Sequence, residues 1–358
     1  MFTYSRSITI DYTKVPNTNQ SNFPFFVSLS DATLKTVANG GHIQHASGYD
    51  IHFFSDSALT TRIPAERETY SATDGTYIGW VEIATLSYTA NTVIYVAYGD
   101  SGISADPNSD GTYGATSVWD ADYKGVWHLG NGSTLSGADS TSNVNTGTLV
   151  NTPTAAAGKM DGGADLAAVS SQYILTPNTT VANQPYTMSA WFKAGQNRSD
   201  NRVIVDSRYN GSCGGVLYLD TAGKLAGYIN SVGAVTTSGT YDDNAWHQAV
   251  LVYASGPNRA ILYVDGSLVG SVNGTACESG TSRVVMGADF TFAVFWNGYL
   301  DEARFVQAVL SEDWILAEYN NQSDPSTFYS LGTEIVGIPS ILGSFLSQPR
   351  IEKFSVVP

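Results

Sequence analysis

Residues 246–270 read WHQAVLVYASGPNRAILYVDGSLVG. Two short runs, WHQAVLVY (246–253) and RAILYVDG (259–266), are rich in β-branched and aromatic residues and closed by turn formers. That pattern is the strand signal. Between RAILYV and SLVG, the Asp265-Gly266 pair supplies the two positive φ angles of a type I′ hairpin turn. The stretch therefore predicts an antiparallel hairpin, and helical periodicity is nearly absent from the rest of the chain.

The same signal repeats on both sides. Strands are expected at VWHL (126–129), QYILT (172–176), YTMSAWFKA (186–194), RVIVDS (202–207), GVLYLD (215–220) and KLAGYIN (224–230), then at RVVMGAD (283–289) and GYLDEARFV (298–306). One helix is predicted at SEDWILAEYNN (311–321), with Ser311 as N-cap and Glu312 and Asp313 in its positively polarised first turn. FYSLGTEIV (328–336) reads as the strand that closes this unit. So many short antiparallel strands imply two facing sheets, a jelly-roll sandwich over residues 116–336.

Residues 1–115 read as a smaller β-sandwich of about six strands. These lie at YSRSITID (4–11), FPFFVSL (23–29), YDIHFF (49–54), RIPAERETY (62–70), TYIGWVEIA (76–84) and NTVIYVAYG (91–99). DATLKTVAN suggests one short helix after an Asp31 cap, and RIPAERETY suggests a half-exposed edge strand. The Gly/Ser/Asp/Pro stretch at 100–118 is the junction between the domains. Residues 337–358 fall outside both patterns and read as a tail, either partly ordered or an arm docking on a neighbouring subunit. The fold class is all-β, two sandwiches.

Composition narrows the function. Charged residues make up 14% of the 358, against about 25% in average globular proteins. Ser, Thr, Asn and Gly fill the surface instead, as in extracellular all-β proteins. A formal net charge of −15, with no run of Lys or Arg, argues against nucleic acid and anionic membranes as partners. No apolar run approaches the roughly 18 residues of a membrane span. The N-terminus MFTYSRSITIDY lacks the pattern of a secretory signal, so the expectation is a removed signal or export by another route, such as inside a virion.

Catalytic constellations are not evident. Glycoside hydrolysis needs two carboxyl groups about 5–5.5 or 6.5–9.5 Å apart. Glu66 and Glu68 have same-face strand spacing, but Arg67 and an edge position predict a solvated face. Asp301 and Glu302 are adjacent, so a regular strand points them to opposite faces. His42 and His45 share a loop without an evident third ligand. His128 and His247 are expected to be hydrogen-bonded strand residues. DPNSDG at 106–111 begins like an EF-hand loop, yet Ser117 stands where a bidentate Glu belongs. Tyr209, Tyr241 and Trp296, in or beside loops, are the candidate sugar-stacking aromatics. Cys213 and Cys277 lie in turn-like Gly/Ser-rich sequence, either paired, which would stabilise by about 4 kcal/mol, or as two thiols.

Taken as an ordered set, VWHLGNGSTLSGADSTSNVNTGTL, QPYTMSAWFKAG, DDNAWHQAVLVYASGPNRAILYVDGSLVG and WNGYLDEARFVQAVLSEDWILAEYNNQ resemble the LamG-like, concanavalin A-like jelly-roll family. The match spans roughly 119–336. YSRSITIDYTK, FPFFVSL, DIHFF, RIPAERE and IYVAYGD resemble a β-domain of unknown function that often precedes such domains in phage virion and bacterial surface proteins. The resemblance implies a binding or structural module, sometimes with one calcium ion at the sandwich rim. It makes Asp301 in GYLDEAR the best metal-ligand candidate. The family's Phe-Asp-Gly partner segment is Leu166-Ala167-Ala168 here, which leaves Asp165, displaced by two residues. The alternative for Asp301 is a buried carboxylate paired with Arg304 or accepting backbone bonds.

The combined expectation is a non-enzymatic structural or adhesive protein, located on a virion surface or extracellularly. Its partners would be a cell-surface glycan or polysaccharide, other virion or surface proteins, and further copies of itself as a homo-oligomer. The alternatives are a secreted adhesin or carbohydrate-binding module, and a polysaccharide-degrading glycoside hydrolase.

Overall fold

The computed structural model describes residues 1–130, 132–177, 185–196, 201–208, 214–255, 258–275 and 283–337. The N-terminal sandwich faces a three-stranded sheet (Gln20–Ser30, Thr76–Leu86, Ala65–Tyr70) against a sheet built around Tyr4–Ile10 and Thr92–Tyr98. Ile8, Phe23, Phe25, Phe53, Val81 and Val96 fill the space between them. Alternation explains the layering, since the outward residues Phe26, Ile78 and Trp80 belong to a separate cluster.

The second sandwich pairs an eight-stranded sheet with a seven-stranded one. In the former, Gly298–Val306, Tyr186–Lys193, Trp246–Ser255 and Asn258–Val264 lie side by side. The latter includes Arg202–Asp206, Gly215–Leu219 and Leu225–Ile229 in its middle. The hairpin turn forms as expected, with φ of 49° at Asp265 and 71° at Gly266. Tyr186–Lys193 is buried on both faces except at Lys193. Its inner side faces the jelly-roll core, and Trp191 on its outer side donates a hydrogen bond to Gln322 of the helix.

That second burial comes from how the domains meet. Phe26, Ile78 and Trp80 pack on Val118, Trp119, Tyr123, Val126 and Val306 of the jelly roll. The helix Glu312–Ser323, capped by the Ser311 hydroxyl 3.1 Å from the Trp314 amide, is wedged beside them. Ile315 packs on Val250, Val252 and Tyr263 of the jelly roll, while Ala317 joins the core of the N-terminal sandwich.

Two expectations are corrected. The segment after the helix does not close the jelly roll. Tyr329–Leu331 and Ile335–Val336 both pair with Tyr4–Ile10, and Phe328 and Tyr329 enter the N-terminal core. The reason is an edge: Tyr4–Ile10 needs a second neighbour, and the helix delivers the chain to it. DATLKTVAN is not one helix but two 3-10 turns, Ala32–Leu34 and Val37–Asn39, the first capped by Asp31. The 337–358 tail lies almost wholly outside the described residues.

Candidate functional site

Glu66 and Glu68 stand on the edge strand Ala65–Tyr70, as the spacing predicts, but the edge is covered by the second domain. Glu66 accepts hydrogen bonds from Trp119 Nε1 (2.8 Å) and Ser140 Oγ (2.6 Å), and lies 3.3 Å from His128 Nε2. Glu68 accepts from Trp80 Nε1 and lies 3.6 Å from His128 Nδ1. The expected solvated face is thus a buried joint. An edge strand looks the same in sequence whether water or another domain lies over it.

A second correction concerns Asp301 and Glu302. Trp191 pairs with Asp301 and Ser189 with Arg304, so Glu302 and Ala303 together face one partner residue, and Glu302 takes φ of 50°. This β-bulge shifts the alternation. Leu300, Ala303 and Phe305 point into the core, while Asp301, Glu302 and Arg304 share the outer face. There Glu302 binds His128 Nδ1 (2.7 Å) and Arg304 Nη2 (2.7 Å), and Arg304 Nη1 reaches Glu318 of the helix. The Arg304 guanidinium lies 4.3 Å from the Trp80 ring centre and 5.0 Å from that of Trp119.

The electrostatics follow from burial. Burial alone would neutralise His128, but Glu302, Glu68 and Glu66 outweigh it and hold its pKa well above the usual value. Burial, opposed by His128 and reinforced by Glu302, Glu66 and Asp301, pushes Glu68 well upward. Glu66 stays low despite burial, because His128, Ser140 and Trp119 bind its charged form. A cleft of about 290 Å³ opens onto this cluster, lined by Glu66, Glu68, His128, Ser136 and Ser140 among others.

Among the described residues, the expected rim calcium ligands Asp301 and Asp165 belong to no common cluster of donors. Asp301 is fully buried, its Oδ2 accepting the Lys159 (2.6 Å) and Met160 (3.0 Å) amides, and burial followed by Glu302 raises it to about 8. This is the backbone-bonded carboxyl of the alternative reading. Asp165 sits opposite Tyr299 on the neighbouring strand, and among the described residues the two share no ligand set. In DPNSDG the carboxylates serve as straps, Asp106 pairing with Arg67 and Asp110 with Arg62. His42 bonds Glu334 and stacks on Tyr4, while His45 stacks on Tyr49. His247 is held between Asp265 and Asp243.

Of the aromatic candidates, Trp296 is completely buried and packs edge-on against Phe192, so it cannot stack on a sugar. Its loop-like neighbours concealed a core position. Tyr241 is half-buried against the jelly-roll core and edge-on to His247. Tyr209, Cys213 and Cys277 lie outside the described residues.

The aromatic cleft that does form was missed by the sequence reading. On the outer face of the seven-stranded sheet, Val216 pairs with Tyr228 and Tyr218 with Ala226, which sets the two half-buried tyrosines diagonally on one face. They line a cleft of about 220 Å³ with Asn201, Arg208 and Asp289. Arg208 is clamped by Asp206 (Nη2 to Oδ2, 2.6 Å) and lies 5.1 Å from the Phe290 ring centre. The signal was the alternation itself: VLYLD and LAGYI each place a Tyr among residues whose neighbours face inward.

Parts of the chain resemble one protein family and several solved structures. Residues 168–316 match the family model of the concanavalin A-like lectin/glucanases superfamily. No curated protein matches the chain in sequence. Among solved structures, the chain is similar to the binding domain of Paraclostridial Mosquitocidal Protein 1 (13% identity, TM-score 0.46), over 55% of this chain and 52% of that one. It thus spans about half the length of that chain. It is also similar to domain 4 of AbnA, a GH43 extracellular arabinanase from Geobacillus stearothermophilus, in complex with arabinotriose. That match has 17% identity and a TM-score of 0.43, over 56% of this chain and all of the other. A third is the Ruminococcus gnavus IT-sialidase CBM40 bound to α2,6 sialyllactose, with 14% identity and a TM-score of 0.30, over 38% and 83%. The residues matched by the family model lie in the larger sandwich; the Tyr218–Tyr228 cleft opens on the outer face of its seven-stranded sheet, and the other cleft opens at the joint with the N-terminal sandwich.

Proposed function

We propose that this protein is a non-catalytic, glycan-binding structural module of a surface, with the Tyr218–Tyr228 cleft as its sugar-contact face. The observation that carries the reading is the pair of tyrosine rings on neighbouring strands beside a fixed guanidinium. The apolar C–H face of a pyranose stacks on an aromatic ring, while its hydroxyls take bonds from amide, carboxylate and guanidinium groups. The cleft's size suits a single ring or a chain end. The superfamily match over residues 168–316 supports the same reading.

Local chemistry favours binding over hydrolysis. Asp289 accepts from the Thr291 hydroxyl and the Ala293 and Val294 amides, and Asp206 from Arg208 and the Phe290 amide. No pair of free carboxyls faces the cleft among the described residues. We place the protein on a virion surface or outside the cell, as a homo-oligomer among other surface proteins. The neutral-polar, acidic composition supports that setting.

The test is a glycan and polysaccharide panel scored for retention and for released reducing ends. Retention without release, weakened at least tenfold by Tyr218→Ala and by Tyr228→Ala, is expected. Release of reducing ends overturns the non-catalytic reading, and retention indifferent to both substitutions overturns the site. Immunogold labelling of purified particles and of cell envelopes then separates a virion component from a secreted adhesin.

A further inference from the structure

The cluster at the domain joint has the donor set of a metal site. We propose that Glu68, His128 and Glu302 bind one first-row divalent cation, of the zinc or manganese kind, which staples the two sandwiches together. The proposal stands apart from the glycan cleft, which lies on the opposite sheet.

Geometry carries it. One donor atom from each of the three residues lies within 4.8 Å of the others. His128 Nδ1 is 2.7 Å from Glu302 Oε1 and 3.6 Å from Glu68 Oε1. Bonds of about 2.1 Å to a first-row ion set neighbouring ligands about 3.0–3.4 Å apart, so small shifts of the two carboxylates suffice. Two carboxylates and one imidazole suit zinc or manganese better than calcium, which takes oxygen ligands.

The surroundings match those of metal ligands. A ligating histidine commonly gives its other ring nitrogen to a carboxylate, and ligating carboxylates are themselves hydrogen-bonded. Here His128 Nε2 faces Glu66, Trp80 donates to Glu68, and Arg304 donates to Glu302. Glu68, with a side chain only 6% exposed, lines the open cleft, and among the described residues no donor bonds its second oxygen. The cleft provides both an entry path and an open coordination position for water or an oxygen ligand.

Charge points the same way. Glu66, Glu68, Asp301, Glu302 and Glu318 are gathered around His128 and Arg304, with Lys159 near Asp301, so the joint carries more carboxyl groups than cations. A divalent ion held by Glu68, His128 and Glu302 would offset part of that excess.

The experiment strips the full chain with chelator, then adds Zn2+ or Mn2+ and follows calorimetry, metal content after desalting, and thermal unfolding. Expected are one ion per chain at micromolar affinity or tighter, a raised unfolding temperature, and at least tenfold weaker binding in Glu68→Gln and Glu302→Gln. Both substitutions are isosteric. An anomalous-diffraction peak between Glu68, His128 and Glu302 is the direct readout, needing no variant. No binding below millimolar metal, a peak elsewhere, or affinity unchanged in both variants overturns the proposal.

Discussion

Arg304 gives the sharpest test of the joint. Its guanidinium is almost fully buried, bonded to Glu302 and Glu318 and stacked near Trp80 and Trp119. Arg304→Met keeps most of the volume and the apolar stem but leaves Glu318 with no cation. Removing one member of a buried pair costs about 3–5 kcal/mol, because the remaining charge stays desolvated. Glu302 still has His128, so the loss centres on Glu318. With a urea slope of about 3 kcal/mol/M, the unfolding midpoint should fall by about 1–1.7 M. Tryptophan fluorescence reads the joint directly, since Trp80 and Trp119 flank the guanidinium. Replacing both partners by apolar groups removes the stranded charge, so Arg304→Met with Glu318→Leu should recover more than half of the loss. A cost below about 1 kcal/mol for Arg304→Met, or losses that simply add in the double variant, would refute this account.

Three further outcomes are expected. Burial, with Arg62 nearby and only partly offset by Asp110 and Asp100, pushes His52 down to about 4 from 6.5. The unfolded chain then binds the proton more readily, so stability falls as pH drops from about 6.5 to 4, by up to about 3 kcal/mol, and His52→Phe should flatten that limb in denaturant titrations across the range. Phe328→Ala should cost about 3–5 kcal/mol and strip amide-exchange protection from Tyr4–Ile10 and Thr92–Tyr98, since Phe328 is fully buried in the N-terminal core; loss confined to the jelly roll would contradict the strand assignment. Gly266→Ala should cost at least about 1 kcal/mol in thermal unfolding, because φ is 71° and a Cβ there would meet Leu316 and Tyr319 at 3.0 Å.

Much of the fold was legible because its signals are local. Alternation located the strands, Asp265-Gly266 the hairpin, and Ser311 the helix start. The joint was not legible, for two reasons of different kind. Whether Ala65–Tyr70 faces water or a second domain depends on residues far along the chain, including Trp119, His128 and Ser140. The shared face of Asp301 and Glu302 depends on one residue leaving the strand conformation, and nothing in GYLDEARFV marks a bulge, because Glu302 is not the Gly or Asn that positive φ usually selects. The return of 329–336 to the first sheet was hidden for the first reason again: an open edge invites pairing, but sequence does not say which edge is open.

These hidden features converge on one physical point. Neither domain can balance the charge at the joint alone. Glu66 and Glu68 belong to the N-terminal sandwich, His128, Glu302 and Arg304 to the jelly roll, and Glu318 to the helix between them. Separated, the N-terminal unit would present two adjacent carboxylates beside Trp80, and the jelly roll would leave Trp119 and Tyr123 in water. Hydrophobic area drives the two faces together, while the ion pairs fit only when Glu66 lies over His128, so they fix the angle at which the faces meet. Assembly also concentrates carboxyl groups beyond what His128 and Arg304 neutralise. Closing the joint therefore requires either bound protons or a bound cation. The open cleft beside Glu68 makes the second choice available to solvent after folding, so the stability of the whole two-domain unit should respond to divalent metal.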